Sequence, residues 1–170
     1  MQDTIEAAFL RVLKSPVRIA ASGRTDAGVH AYAQCFHADV PETCRMSSVN
    51  WLAALNAHLP AAIRIMAVQP VAEDFHARFA ALGKEYEYCI CRAAVLSPFL
   101  NGRAWHVPHI FDVPLLATAL QVYEGTHDFR RFAANRGNEP ASPPADFYLG
   151  GVFSVPQQTS QARVIRRWFE

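Results

Sequence analysis

A chain of 170 residues is long enough for one domain of ordinary size, or for a large part of a two-lobed one. An apolar share of 51% provides for a buried core, and a net charge of +1 excludes a bulk electrostatic attraction to nucleic acid. The four cysteines form no Cys-x-x-Cys pair, so a zinc site is not expected. Free thiols in a reducing compartment are expected instead.

The chain begins with a predicted helix that ends before Pro16. Asp3 and Glu6 stand at the spacing of a capping box near its start. Two strands are predicted next, over about residues 17–22 and 31–39, because apolar and polar residues alternate there. The apolar residues of the helix recur at helical spacing: Ile5, Ala8, Phe9, Val12 and Leu13.

A second helix is predicted from Ser47 or Ser48, where a hydroxyl can cap the first turn. Alternation then predicts a strand near residues 62–68 and a longer strand-like run over residues 76–92. Gly83 interrupts that run and indicates a turn or a bulge. The apolar side of the second helix is expected to carry Trp51, Leu52, Leu55 and Leu59.

The remaining chain is predicted to contain one more helix and a final strand. Residues 93–111 look irregular because prolines and a glycine interrupt them. The helix is expected to start at Asp112 as N-cap and to end at Gly125. Residues 136–151 are rich in Pro, Gly and Asn and are predicted to form a long loop or insert, and residues 163–169 a strand.

The order of the first five predicted elements indicates an α+β fold. Helix, strand, strand, helix and strand correspond to a ferredoxin-like β-α-β-β-α-β unit whose first strand is missing. We therefore expect ferredoxin-like halves with a mixed or antiparallel sheet, incomplete at both termini. Residues 1–92 would form the N-terminal half, and residues 93–170 a partial second half with the insert at 136–151.

The loop between the first two predicted strands, residues 21–30, concentrates polar chemistry in a short space. Gly23 and Gly28 bracket a guanidinium, a hydroxyl and a carboxylate. One interpretation is a polar turn in which Asp26 caps backbone amides and Arg24 pairs with it. The other is a loop that holds these groups at fixed positions and exposes them to a ligand.

Four motifs in this order resemble those of the tRNA pseudouridine synthase A (TruA-like) family, and the resemblance covers nearly the whole chain. The first motif is the loop itself, Gly23-Arg24-Thr25-Asp26-Ala27-Gly28-Val29-His30-Ala31. The second is Asp74-Phe75-His76-Ala77-Arg78-Phe79, followed by Lys84, Tyr86 and Tyr88. The third and fourth are Gly125-Thr126-His127-Asp128-Phe129 with Phe132, and Arg163 with Ile165.

This resemblance implies a pseudouridine synthase fold and the isomerisation of uridine to pseudouridine at positions 38, 39 and 40 of the anticodon stem-loop of tRNA. Asp26 would be the catalytic carboxylate, attacking the target nucleotide or shaping a glycal-type intermediate. Arg24 would neutralise that carboxylate or fill the gap left when the uridine leaves its stack. Tyr86 would pack against the flipped uracil. No cofactor is implied, because no redox step or group transfer takes place.

Supporting roles follow from the same resemblance, each with a structural alternative. Arg78 and Lys84 would contact RNA phosphates, although Arg78 could simply hold a hairpin. His30 would lie at the substrate site, where a structural role is favoured over proton transfer. Tyr86 could belong to the core with Tyr88, since aromatic residues favour strands.

The family also implies a homodimer, tRNA as partner and a cytoplasmic location. The sequence shows no apolar run long enough to cross a membrane, and no signal peptide is expected before the first helix. Relative to the family, the chain would lack an early strand and a late Val-Arg segment. A non-catalytic RNA-binding remnant is therefore the alternative function. Local positive charge would come from two arginine clusters: Arg130, Arg131 and Arg136, and Arg163, Arg166 and Arg167.

Overall fold

A computed structural model describes residues 1–109, 112–125, 127, 148–154 and 161–169 of a small α+β protein. The chain divides into two compact units, Met1–Ala80 and Ala81–Glu170. The first unit contains α1 (Gln2–Leu13), β1 (Ile19–Ala21), β2 (Phe36–Ala38) and α2 (Ser48–His58). The second contains β3 (Gly83–Cys91), a 3-10 turn (Pro98–Leu100), β4 (Trp105–His106), α3 (Val113–Gln121), β5 (Tyr148–Ser154) and β6 (Gln161–Phe169).

The predicted first helix is confirmed as α1, but the predicted capping box is wrong. The helix begins two residues earlier than that box requires, so Asp3 lies inside its first turn and Met1 takes the N-cap position without a side-chain cap. Glu6 instead accepts hydrogen bonds from Gln2 Nε2 (2.8 Å) and from the Ile19 N–H (3.2 Å). The carboxylate therefore ties α1 to the start of β1.

Glu6 links stability to pH. The hydrogen bonds from Gln2 and Ile19, with a smaller contribution from exposed Arg18, lower the pKa of Glu6 from its ordinary value. Because the pKa of Glu6 is lower in the folded than in the unfolded chain, its carboxylate stabilises the fold at any pH above the unfolded-state pKa. This stabilisation is lost as the pH falls through the folded-state pKa. We expect Glu6→Gln to lower the urea midpoint at neutral pH, with the gap to wild type closing in acid.

The matched control is Glu42→Gln, because Glu42 is exposed and has no hydrogen-bond or ion-pair partner among the described residues. This variant should follow wild type at every pH. A deficit in Glu6→Gln that is the same at acidic and neutral pH would contradict the assignment.

The core of the first unit lies between α1, β1 and α2. Phe9 packs against Trp51 of α2, with ring centroids 5.5 Å apart, and against Phe36 of β2 at 6.4 Å in an edge-to-face arrangement. The helical spacing predicted this apolar face correctly. The buried cluster comprises Ile5, Ala8, Phe9, Val17, Ile19, Trp51, Leu55 and Leu59.

Helix α2 is confirmed with Ser47 as its N-cap, since Ser47 Oγ accepts a hydrogen bond from the Asn50 N–H at 3.3 Å. The strand predicted near residues 62–68 is wrong, because these residues form no ladder. Asn56 instead donates from Nδ2 to the Ile65 carbonyl and accepts from the Ile65 N–H on Oδ1, each at 2.9 Å. A side-chain amide thus satisfies backbone groups that a neighbouring strand would otherwise pair.

The two strands that flank the polar loop are shorter than predicted. β1 and β2 are antiparallel and pair over three residues each, from Ile19 with Ala38 to Ala21 with Phe36. Residues 31–35, predicted to extend the second strand, add no further residue pair to it. Tyr32, for example, is 92% exposed, so alternation there has no surface to pack against.

The second unit contains a sheet in the order β4-β3-β6-β5. β6 lies antiparallel to both β3 and β5, while β3 and β4 are parallel. The predicted run over residues 76–92 forms a strand only from Gly83, since residues 77–80 form turns. The strand predicted at 163–169 is confirmed within β6.

Helix α3 begins as predicted, with Asp112 Oδ1 accepting a hydrogen bond from the Leu115 N–H at 2.9 Å. Within residues 93–111, predicted to be irregular, the short strand β4 is an exception. Residues 136–147 of the predicted insert lie outside the described residues, and residues 148–151 belong to β5 rather than to a loop. No helix in the described part of the chain is long and apolar enough to span a bilayer.

Candidate functional site

The polar loop leaves β1 and returns to β2 through hydrogen bonds at its base. The Ser22 N–H donates to the Cys35 carbonyl at 2.9 Å and extends the ladder by one bond. Ser22 Oγ donates to Gln34 Oε1 at 2.8 Å, and Gln34 Nε2 donates to the Gly23 carbonyl at 2.6 Å. Sequence reasoning missed Ser22 and Gln34, although a serine just after β1 and an amide shortly before β2 are the signal that could have found them.

The tip of the loop is a four-residue turn. The Asp26 carbonyl accepts a hydrogen bond from the Val29 N–H at 3.2 Å. Gly28 occupies the third position with φ +85°, the left-handed conformation that a type II turn requires there. A Cβ added at Gly28 would meet no atom within 4 Å, so the backbone angle rather than crowding favours glycine.

Arg24 and Asp26 are both exposed on this loop. Between these two described side chains there is no ion pair, and Asp26 accepts no side-chain hydrogen bond from a described residue. The two interactions of the polar-turn interpretation are therefore not made. His30, two residues after Gly28 in the part of the loop that returns to β2, is exposed as well. The loop presents a guanidinium, a carboxylate and an imidazole to solvent.

The second motif, residues 74–79, is attached to β2 through His37. His37 Nδ1 accepts a hydrogen bond from the Ala77 N–H at 3.1 Å, which requires a neutral ring with its proton on Nε2. The His37 ring also meets His76, with centroids 4.6 Å apart, and Phe75 at 6.1 Å. Arg78 follows directly and is exposed. The strand that leaves the loop thus also anchors the segment that carries Arg78.

We expect His37→Leu to loosen this attachment. Ala77 is buried, and its N–H would lose its acceptor, at a cost of about 1 to 3 kcal/mol. Hydrogen exchange of the Ala77 amide, followed by NMR, should accelerate by about 10- to 100-fold as the turn opens locally.

Two comparisons test this role for His37. His37→Asn should retain most of the protection, because an amide oxygen can take the place of Nδ1. The Trp51 amide, bonded to the Ser47 carbonyl in α2, should exchange as in wild type. Unchanged Ala77 exchange in His37→Leu would contradict the role.

Lys84 and Tyr86 lie on β3 in the second unit. Tyr86 is 41% exposed and Tyr88 is also exposed, whereas Ile90 of the same strand face is buried. Tyr86 is therefore not part of the buried core, which was the structural alternative. Lys84 is half-buried, and β3 aligns it with Trp168 of β6.

The other predicted features lie only partly within the described residues. Of the third motif, Gly125 and His127 are described, and His127 Nε2 lies 2.7 Å from the Glu124 carbonyl. The first arginine cluster and Asp128 lie outside the described residues, as do the side chains of the second cluster. Cys91 is buried and Cys89 half-buried, and none of the four cysteines, all of which lie in the described ranges, forms a disulfide. No group of three or more His, Cys, Asp or Glu in the described ranges could hold a metal ion.

The comparisons with known proteins agree with one another. Residues 1–80, the first compact unit, match a family described as tRNA pseudouridine synthase. The chain is 51% identical over 148 residues to tRNA pseudouridine synthase A of Akkermansia muciniphila, covering 87% of this chain and 56% of that protein.

Two further relatives carry the same name. Identity is 44% over 137 residues with the protein of Geobacillus kaustophilus, covering 77% of this chain and 52% of that one. It is 35% over 143 residues with that of Methylacidiphilum infernorum, covering 84% and 55%. The chain thus spans about half the length of the curated relatives it matches.

Proposed function

Since the chain belongs to the tRNA pseudouridine synthase A family, we propose that it isomerises uridine to pseudouridine in tRNA. In this reaction the glycosidic bond from C1′ to N1 of the uracil breaks and a bond from C1′ to C5 forms. The hydrogen on C5 leaves as a proton while N1 takes one up, so atoms balance without a cofactor.

The observation that carries the proposal is the exposed Asp26 on a loop fixed between two strands. A carboxylate must reach C1′ of a nucleotide that has left its stack. Because no described side chain neutralises Asp26, its charge is available to an incoming substrate. Binding of the RNA would then remove water from the carboxylate and strengthen it as a nucleophile.

The remaining predicted residues take supporting roles in the proposal. Arg24, two residues before Asp26, would offset the carboxylate charge or fill the space of the extruded base. Tyr86 would pack its exposed ring against the uracil, while Arg78 and Lys84 would contact phosphates. His30 would line the substrate site from the same loop as Asp26.

Four finer statements belong to this proposal and follow from the family. The modified uridines would lie in the anticodon stem-loop, at positions 38, 39 and 40. Residues 1–92 would form a ferredoxin-like half, and residues 93–170 part of a second one. The protein would act as a homodimer, and it would work in the cytoplasm, where unmodified tRNA is found.

Tritium release from tRNA that carries 5-tritiated uridine tests the activity directly. Pseudouridine formation frees the hydrogen at C5, so release by the 170-residue chain is the expected result. Transcripts in which uridines 38, 39 and 40 are replaced by cytidine should release little tritium. Binding of tRNA without any release would overturn the proposed activity and leave a protein that only binds RNA.

A further inference from the structure

The reacting segment of the loop is not held in place by its own side chains. Arg24, Asp26 and His30 are exposed, and none of the three side chains has a hydrogen-bond or ion-pair partner among the described residues. The turn bond from Val29 to Asp26 shapes the tip but does not connect it to the rest of the unit. The direction in which Asp26 points must therefore be set where the loop meets the strands.

At that point a single side-chain amide makes two bonds across the loop. Gln34 accepts from Ser22 Oγ at 2.8 Å through Oε1, and donates to the Gly23 carbonyl at 2.6 Å through Nε2. Since one end of the amide can only accept and the other only donate, this pattern fixes its orientation. Ser22 and Gln34 are both half-buried, where hydrogen bonds are less weakened by water.

We propose that Ser22 and Gln34 form a clamp that positions Asp26 for catalysis, an inference that rests on the proposed function. The Gly23 carbonyl belongs to the peptide that leads into Arg24, so the bond from Gln34 fixes the plane of that peptide. The orientation of this peptide sets the path of the backbone through residues 24–26. Ser22 in turn holds the Gln34 amide in the orientation that directs Nε2 at Gly23. Both are positioning residues, which act on Asp26 through the loop.

The clamp predicts a loss of rate without a loss of binding. Attack on C1′ depends on a near-attack geometry, and a misplacement of about 1 Å costs about 100-fold in rate. We expect Gln34→Met, which keeps the length of the side chain, and Ser22→Ala each to lower the single-turnover rate by about 10- to 100-fold. The dissociation constant for tRNA should change by less than about twofold, because the predicted phosphate contacts lie elsewhere.

Conservative and matched variants separate positioning from general damage. Ser22→Thr keeps the hydroxyl and should recover most of the rate. Gln69→Met removes an exposed amide that makes no hydrogen bond with a described residue, and it should equal wild type. The double variant of Ser22→Ala with Gln34→Met should be no slower than Gln34→Met alone, because both changes break one connected unit.

A second measurement does not depend on activity. Trypsin cleaves after Arg24 only when the loop opens, and after Arg11 only when α1 unfolds. Cleavage after Arg24 should accelerate about tenfold in Gln34→Met and Ser22→Ala, while cleavage after Arg11 stays at the wild-type rate.

The two measurements distinguish the possible failures. If wild type makes no pseudouridine, the proposed function fails, and the rate of cleavage after Arg24 then decides alone whether the clamp orders the loop. Unchanged cleavage after Arg24 in both variants would overturn the clamp. A fall in rate accompanied by faster cleavage after Arg11, or by weaker tRNA binding of equal size, would also overturn it in favour of general destabilisation.

Discussion

Asp26→Asn should abolish tritium release while leaving the loop and the fold intact. The amide matches the carboxylate in shape but carries no negative charge and cannot attack C1′. Removal of a catalytic nucleophile lowers rates by about 10⁴- to 10⁶-fold in well-studied enzymes, and we expect a loss in this range. Asp26 makes no side-chain bond with a described residue, so the urea midpoint should stay at the wild-type value.

Asp39→Asn is the matched control for this experiment. Asp39 lies just after β2 in the same unit, is exposed, and has no ion-pair partner in the part of the chain that the structure describes. The control loses the same charge and should retain the wild-type rate and tRNA affinity. Pseudouridine formation by Asp26→Asn at more than about a hundredth of the wild-type rate would contradict the catalytic role proposed for Asp26.

Phe9→Ala should have the largest effect on stability. Phe9 is only 4% exposed and joins α1 to both Trp51 and Phe36, so its removal leaves a cavity at the meeting point of three elements. Truncations of this kind cost about 3 to 5 kcal/mol. A unit of 80 residues has about 4 to 12 kcal/mol in total. We therefore expect the first unit to lose between about a quarter and all of its free energy of unfolding.

Fluorescence of Trp51 during urea denaturation can report on this unit, in a background where Trp105 and Trp168 are replaced by phenylalanine. Phe79→Ala provides the comparison, because Phe79 lies in the same unit but is 81% exposed. Phe79→Ala should lower the free energy of unfolding by no more than about 1 kcal/mol, mostly through the lost contact with the His76 ring. Equal losses in the two variants would contradict the location of the core.

Features that depend on a few adjacent residues could be predicted from the sequence. The starts of α2 at Ser47 and α3 at Asp112 were correct, because capping requires only a side-chain oxygen and an N–H three residues later. The capping box at Asp3 met the same local rule but failed. Glu6 has a stronger set of partners in Gln2 and Ile19, the second of which lies thirteen residues away.

Features set by distant partners could not be predicted. Ile63 and Ile65 alternate as in a strand, yet the bonds of Ile65 go to Asn56, and alternation alone does not distinguish these cases. The same limit applies to the site. The sequence motif predicted correctly that Arg24 and Asp26 lie on a loop between two strands. It did not identify Gln34, because Gln34 bonds to Gly23 across the loop, eleven residues away in the chain.

The register of β3 with β6 has a consequence for the order in which the chain folds during synthesis. Gly83 pairs with Phe169 and Cys91 with Gln161, so each bond of this ladder joins residues 70 to 86 positions apart. Contacts of high sequence separation form slowly, since the intervening segment must first be closed into a loop. The contacts within the first unit join residues that all lie between Met1 and Ala80. These contacts can therefore form on the ribosome before β6 has been synthesised. During that interval the edge of β3 that pairs with β6 is exposed, and a chaperone that covers this edge would have its largest effect then.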